Sequence, residues 1–302
     1  MIKKILAILT LAFCCAAFVQ AQQKEGRWTL FPTVGDKFSN IIETPDRTYM
    51  LSGSTLFSIA DDDNESYAYN VFNKLTERAA ISSIAYNDEK NYLFVAYDNG
   101  NIDLVYDSGK TVNLPEIKDA TLSVSRGILS VAFGHDRIFV GTEFGLVVFD
   151  DERHLVIESG IYNVPIDHVF VMGDHLLLIN NQKVYASRYD DRHLELGTQR
   201  VCRNMWKHDV AKIDDNTLVY SYINDTNLYA VKFDFEAAKE VESTLVALGS
   251  RASLCWSDAG VYCVDKGNVV LIDKDLKITQ TALPSEYAES NVFLNDLSSV
   301  WV

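Results

Sequence analysis

The signatures of the common enzymes are missing from this 302-residue sequence. It has no HExxH, no GxSxG, no phosphate-binding glycine loop and no dinucleotide fingerprint, so the usual protease, hydrolase and nucleotide-binding templates do not apply. Catalysis by single residues gathered from distant segments leaves no such motif and stands as the minor reading. Cysteine is scarce: beyond Cys14 and Cys15 there are only Cys202, Cys255 and Cys263, without CxxC spacing, which indicates neither a zinc site nor a disulfide scaffold. The six histidines fall in different segments with no i, i+2 or i, i+4 pairing to chelate a metal. Positive charge is in short supply, 27 basic against 42 acidic residues for a formal net charge of −15. Such a surface repels nucleic acid and anionic headgroups.

What is there begins with an export signal. Lys3 and Lys4 precede an apolar stretch from Ile5 to Phe18 that ends in Val19-Gln20-Ala21, with small residues where signal peptidase wants them. The stretch is shorter than the roughly 20 apolar residues of a spanning helix. A lipoprotein signal would use Cys14 or Cys15, but Phe13 occupies a position that needs a small residue. The reading is therefore a signal peptide over residues 1–21, removed on export, and a mature domain over residues 22–302. Loss of Lys3 and Lys4 makes the mature chain more acidic still, and no later apolar run is long enough to span a membrane.

From Trp28 onward the helical period is nearly absent, and short runs of β-formers alternate with Gly, Asn and Asp. The clearest pair is Tyr92-Leu93-Phe94-Val95-Ala96 and Ile102-Asp103-Leu104-Val105-Tyr106, joined across Asp98-Asn99-Gly100-Asn101, whose Asn and Gly tolerate the positive φ of a tight hairpin. Five further hairpins start at Tyr49, Ile138, Leu176, Leu218 and Val261, about forty residues apart, which is the period of a propeller blade. A shorter apolar strand such as Ile81-Ser82-Ser83-Ile84-Ala85 precedes each hairpin, and a polar strand such as Lys110-Thr111-Val112-Asn113-Leu114 follows most of them. Four antiparallel strands per repeat predict an all-β fold, a β-propeller with six complete repeats. Val292-Phe293-Leu294 and Ser298-Ser299-Val300-Trp301-Val302 look like the opening of a seventh, which makes this a seven-bladed type whose last blade is truncated, with Trp28-Thr29-Leu30-Phe31 as a candidate outer strand to close it. Only Asn73 to Ala80 offers a helical turn or two.

Candidate site residues are few. His168 alternates inside an inner strand and is the one histidine with a channel-lining reading. Trp206 and Trp256 occupy related positions in successive repeats, where an exposed indole would stack on a sugar or a protein partner and a buried one would pack between blades. Cys255 and Cys263 flank Ser257-Asp258-Ala259-Gly260, and a three-residue loop with Gly260 at positive φ would set them opposite each other for a disulfide; two buried thiols are the alternative. Asp61-Asp62-Asp63-Asn64-Glu65 lacks the central glycine and spaced glutamate of an EF-hand and reads as a solvated turn. The acidic pairs Asp150-Asp151, Asp190-Asp191 and Asp214-Asp215 fall where the repeat places turns and read as solvated turn residues too. No cofactor is implied.

Three stretches carry a further likeness: Tyr97 to Leu104, Leu114 to Lys118, and Gly141 to Val148. Through them the chain resembles the N-terminal β-propeller of PorZ-type proteins, surface components of the type IX secretion system in Bacteroidetes. The likeness extends from Trp28 to the end and weakens after about Asp190. It implies a non-catalytic binding scaffold, in a family built as two propellers plus a C-terminal sorting domain that binds anionic lipopolysaccharide and presents it to the surface sortase. This sequence stops at Val302, before any second propeller, and no ligand residues carry over from the family. Envelope or secretion-system proteins and a surface glycolipid or glycan are the implied partners, in the periplasm or on the outer surface. The ending Asn295 to Val302 also resembles the repeat of glycan-sensing periplasmic propellers in hybrid two-component regulators, the alternative function. A propeller glycosidase or lyase is a third.

Overall fold

The computed structural model describes residues 40–301 apart from 61–64, 181–182, 190–199, 204, 223–224, 226, 236, 238, 248–253, 258–259, 266, 284–292 and 295–299. The leader, the Trp28 to Phe31 strand, Asp61 to Asn64 and Asp190-Asp191 thus lie outside the described residues. The first blade is β1 (Asn40–Glu43), β2 (Arg47–Ser52), β3 (Thr55–Ala60) and β4 (Ser66–Tyr69). The second is β5 (Ile81–Asn87), β6 (Tyr92–Tyr97), β7 (Ile102–Tyr106) and β8 (Thr111–Leu114), followed by one short helix, α1 (Glu116–Asp119). The third is β9 (Ile128–Gly134), β10 (Arg137–Thr142), β11 (Gly145–Asp150) and β12 (Leu155–Ile161), and the fourth is β13 (His168–Met172), β14 (His175–Asn180), β15 (Lys183–Arg188) and β16 (Arg200–Arg203). The fifth is β17 (Met205–Asp214), β18 (Thr217–Tyr222), β19 (Leu228–Asp234) and β20 (Lys239–Ala247). The sixth is β21 (Cys255–Ser257), β22 (Gly260–Asp265), β23 (Asn268–Ile272) and β24 (Ile278–Ala282).

Each blade is a four-stranded antiparallel sheet with its strands in sequence order, and the six form the ring of a propeller. The first strand of each blade lies against the first strand of the next, from β1 against β5 through to β17 against β21, which makes these the inner strands. A two-stranded sheet, β25 (Phe293–Leu294) and β26 (Val300–Trp301), stands where the sequence opens a further repeat.

Side-chain alternation explains why the sheets stack. In β6 every residue is buried, because both faces of the strand meet a neighbouring blade. Leu93, Val95 and Tyr97 pack with Tyr49, Leu51 and Leu56 of the first blade, while Tyr92, Phe94 and Ala96 pack with Ile138 and Val140 of the third. The pattern repeats around the ring: Phe139 and Val148 meet Leu176 and Leu178, Leu177 and Ile179 meet Leu218 and Tyr220, and Val219 and Ala230 meet Val261 and Cys263. Burial of each such Leu, Ile, Val or Phe side chain contributes about 1.5–3 kcal/mol, so the seams between blades carry most of the apolar stabilisation.

The loops depart from expectation in two places. Asn73 to Ala80 form no helix; residues 71–74 make a hydrogen-bonded turn in which the carbonyl of Asn70 accepts from the backbone of Asn73, Lys74 and Leu75, and its side chain accepts from Phe72 N–H at 2.8 Å. An Asx side chain that bonds its own backbone competes with helix propagation. α1, unforeseen, is a four-residue turn that buries Ile117 against the second hairpin.

A tyrosine-lined cleft between the first two blades

The seam between the first and second blades opens into a cleft of about 370 Å³. Strand register builds one wall. Tyr49 on β2 lies opposite Ser58 on β3, which lies opposite Tyr67 on β4, and Arg47 and Tyr69 share that face two residues away along their strands. The second blade supplies Val105, Tyr106, Asp107 and Gly109 from the end of β7 and the turn after it, and Asp46 and Lys74 complete the lining.

The polar geometry centres on Tyr69. Its hydroxyl shares a hydrogen bond with Ser58 Oγ at 3.1 Å and accepts one from Arg47 Nη1 at 3.2 Å. Tyr67, 41% exposed, stands edge-on to Tyr69 with ring centroids 5.1 Å apart. Tyr49 is buried beneath and stacks on Tyr86 of β5 at 6.4 Å. The Tyr86 hydroxyl donates to Asp107 Oδ2 at 2.6 Å, and burial followed by that bond pushes the Tyr86 phenol well above its ordinary pKa. Burial also raises the Tyr49 phenol. Both phenols are therefore neutral at physiological pH, with hydroxyls that donate and accept. The Lys74 ammonium donates to the Gly109 carbonyl at 3.0 Å.

A second polar centre, in the seam between the second and third blades, is closed. Asp151 is 4% exposed and accepts from Tyr92 Oη at 2.8 Å and Asn87 Nδ2 at 3.0 Å. Beside it, Tyr106 Oη and His154 Nε2 lie 2.9 Å apart. The expectation of a solvated turn holds for Asp150, whose Oδ1 accepts from the backbone of Glu152 and Arg153, and for Asp214, which caps Asn216 N–H, but not for Asp151. Asp103 is likewise buried and saturated, accepting from Thr76 N–H and Oγ1, Tyr97 Oη and Asn113 Nδ2. Among the described residues no group of three or more His, Cys, Asp or Glu is placed to hold a metal ion.

The residues singled out from sequence do not converge here. His168 opens the inner strand β13, half-buried, with its ring stacked on Phe170 at 6.0 Å. Trp206 and Trp256 lie on the inner strands β17 and β21 of the next two blades, and their side chains fall outside the described residues. The three thus stand on the innermost strands of consecutive blades, none of which lines the cleft. The disulfide geometry is corrected: Ser257 pairs with Gly260, so two residues rather than three separate the strands, and Cys255 lies opposite Tyr262 instead of Cys263. Gly260 has φ +140°, and a Cβ there would stand 2.2 Å from the Ile272 carbonyl oxygen of β23, which holds glycine at this position. Cys263 is a buried thiol packed between the fifth and sixth blades.

The model for the family described as "TSS9, PorZ, N-terminal beta-propeller domain" matches residues 48–195. Just under half of this chain is thus similar to the PorZ N-terminal β-propeller family. The matched segment includes all the cleft residues except Asp46 and Arg47. The solved PorZ, described as an essential surface component of the type IX secretion system of Porphyromonas gingivalis, is similar over 82% of this chain at 19% identity and a TM-score of 0.67. This chain spans 33% of the length of that PorZ. The WD40 domains of Doa1 (12% identity, TM-score 0.54, 87% of this chain and 91% of that one) and of Neurospora crassa Pan2 (10%, 0.55, 82% and 80%) share the fold alone. No curated protein sequence matches. Among the described residues no helix is long and apolar enough to cross a membrane.

Proposed function

We propose that this protein is a non-catalytic binding scaffold of the cell envelope that serves the type IX secretion machinery, as its PorZ relative does, and that a surface lipopolysaccharide is among the molecules it presents. The observation that carries the reading is the PorZ family match over residues 48–195 on a six-bladed ring. The buried carboxylates support a scaffold rather than an enzyme: Asp103 and Asp151 are each engaged by several protein donors, so neither is poised to exchange a proton with a substrate. In this reading residues 1–21 direct export, and residues 22–302 form the mature propeller domain.

Pull-down of the tagged full chain from envelope fractions of a bacterium carrying the system tests the proposal. Enrichment of outer-membrane secretion components over a control propeller is the expected result. Recovery of cytoplasmic proteins alone would overturn it.

A further inference from the structure

We infer that the cleft between the first two blades is a binding site for a neutral sugar ring. Three observations converge on it, none of which depends on the secretion reading. Two cations in the cleft direct their hydrogen bonds to neutral groups: Arg47 to the hydroxyls of Tyr69 and Ser58, and Lys74 to the Gly109 carbonyl. Lys90, Lys118 and Lys212 instead each sit on a carboxylate, as is expected in so acidic a chain. The carboxylates of Asp46 and Asp107 line the same cavity without forming an ion pair to either cation. A cavity that keeps donors and acceptors of full charge apart is matched by hydroxyl groups, which accept from Arg47 and Lys74 and donate to Asp46 and Asp107. An anion would meet the two carboxylates, and a cation the two basic groups.

The third observation is the wall. Tyr67 presents an exposed aromatic ring beside Tyr69, a surface suited to the C–H face of a pyranose. The volume of about 370 Å³ lies at the lower end of small-molecule sites and accommodates one or two rings. A neutral sugar reaches such a site either as part of a free oligosaccharide or as a glycolipid headgroup.

The test is direct binding by the purified full chain. The probes are a panel of neutral hexose and N-acetylhexosamine trisaccharides, the corresponding uronic acids, short acidic and basic peptides, and vesicles carrying a neutral hexose glycolipid. Saturable binding of a neutral trisaccharide, weakened about tenfold by Tyr67→Ala and by Lys74→Met but not by His168→Ala, is expected; binding to the vesicles alone with the same variant pattern assigns the headgroup as the source. Tyr67 and Lys74 lie at the cleft mouth, so unchanged thermal melting of both variants separates lost binding from lost fold. Absence of neutral-sugar binding at millimolar concentration, preference for uronic acids or peptides, or insensitivity to both substitutions overturns the assignment. Because the probes include no secretion component, failure here leaves the pull-down result untouched, and the reverse.

Discussion

The Tyr92 hydroxyl reaches across the seam from the second blade to donate to Asp151 of the third at 2.8 Å, in a site where Asp151 is 4% exposed. Burial raises the Asp151 carboxyl above its ordinary value of 3.8, against the opposing pull of the Tyr92 hydrogen bond and the nearby Lys90 and His154. The folded state therefore holds a proton on this group more tightly than the unfolded chain. Its contribution is fully present below the ordinary carboxylate pKa and is lost as pH rises through the folded pKa. Asp151→Ala leaves the Tyr92 hydroxyl without an acceptor inside the seam and the Asn87 amide with the Tyr92 oxygen alone, at a cost of about 2 kcal/mol at neutral pH. Urea unfolding should show that deficit, and the gap to the wild type should widen from pH 7 toward pH 5. A gap that narrows on acidification contradicts the account.

Asp103 is a tighter junction. It is completely buried and ties the segment between the first and second blades to the second hairpin through Thr76, at 2.8 Å to the backbone N–H and 2.6 Å to the hydroxyl, with Tyr97 at 2.7 Å and Asn113 at 2.9 Å as further donors. Asp103→Ala strands the buried Tyr97 hydroxyl and also removes the acceptor of the Thr76 N–H and hydroxyl, and should cost about 2–3 kcal/mol, whereas Tyr97→Phe removes one hydrogen bond and should cost about 1 kcal/mol. Thermal melting ranks the two. Equal effects would show that the network does not centre on the carboxylate.

The strands were the legible part of the sequence because their cause is local. The Tyr92 to Tyr97 strand is apolar at every position, and such a run, bounded by Asn91 and Asp98, reads as a strand covered on both faces; the structure buries it completely. Which loop residues turn inward was not legible, because that depends on register. Asp150 and Asp151 are adjacent in one turn, yet one caps backbone N–H groups in solvent and the other reaches into a seam. The cleft escaped the sequence for the same reason: Arg47, Tyr49, Tyr67 and Tyr69 meet only through the pairing of three strands. A compositional signal was present, since seven of the fifteen tyrosines lie between Tyr49 and Tyr106. That concentration of one residue type, amphipathic and suited to a half-open wall, distinguishes the first two blades from the other four.

Gly100 tests the best-read hairpin. It adopts φ +84°, its N–H donates to the Tyr97 carbonyl at 3.0 Å, and a Cβ there would stand 2.9 Å from Ile117 Cγ2 and 3.0 Å from the Arg126 carbonyl oxygen. Gly100→Ala therefore combines backbone strain with a clash against α1 and the segment leading to β9. A loss of about 2 kcal/mol or more is expected. Gly53 has φ +59° with nothing within 4 Å of the corresponding Cβ, so Gly53→Ala carries strain alone and should cost about 1 kcal/mol. If the two variants unfold at the same denaturant concentration, the crowding at Gly100 adds nothing to the strain.

The register of β21 and β22 makes a chemical prediction. With Cys255 opposite Tyr262, bonding Cys255 to Cys263 would require a one-residue slip, and a one-residue slip sends every side chain of the strand to the other face. Val261 and Cys263 would then leave the apolar cluster they share with Val219 and Ala230, forfeiting about 1.5–3 kcal/mol for the valine alone. Air-oxidised protein, unfolded without reductant and alkylated, should accordingly carry the label on Cys255 and Cys263 alike when its peptides are weighed. A cross-linked pair of peptides joining these two cysteines would show that the sixth blade is built in a different register.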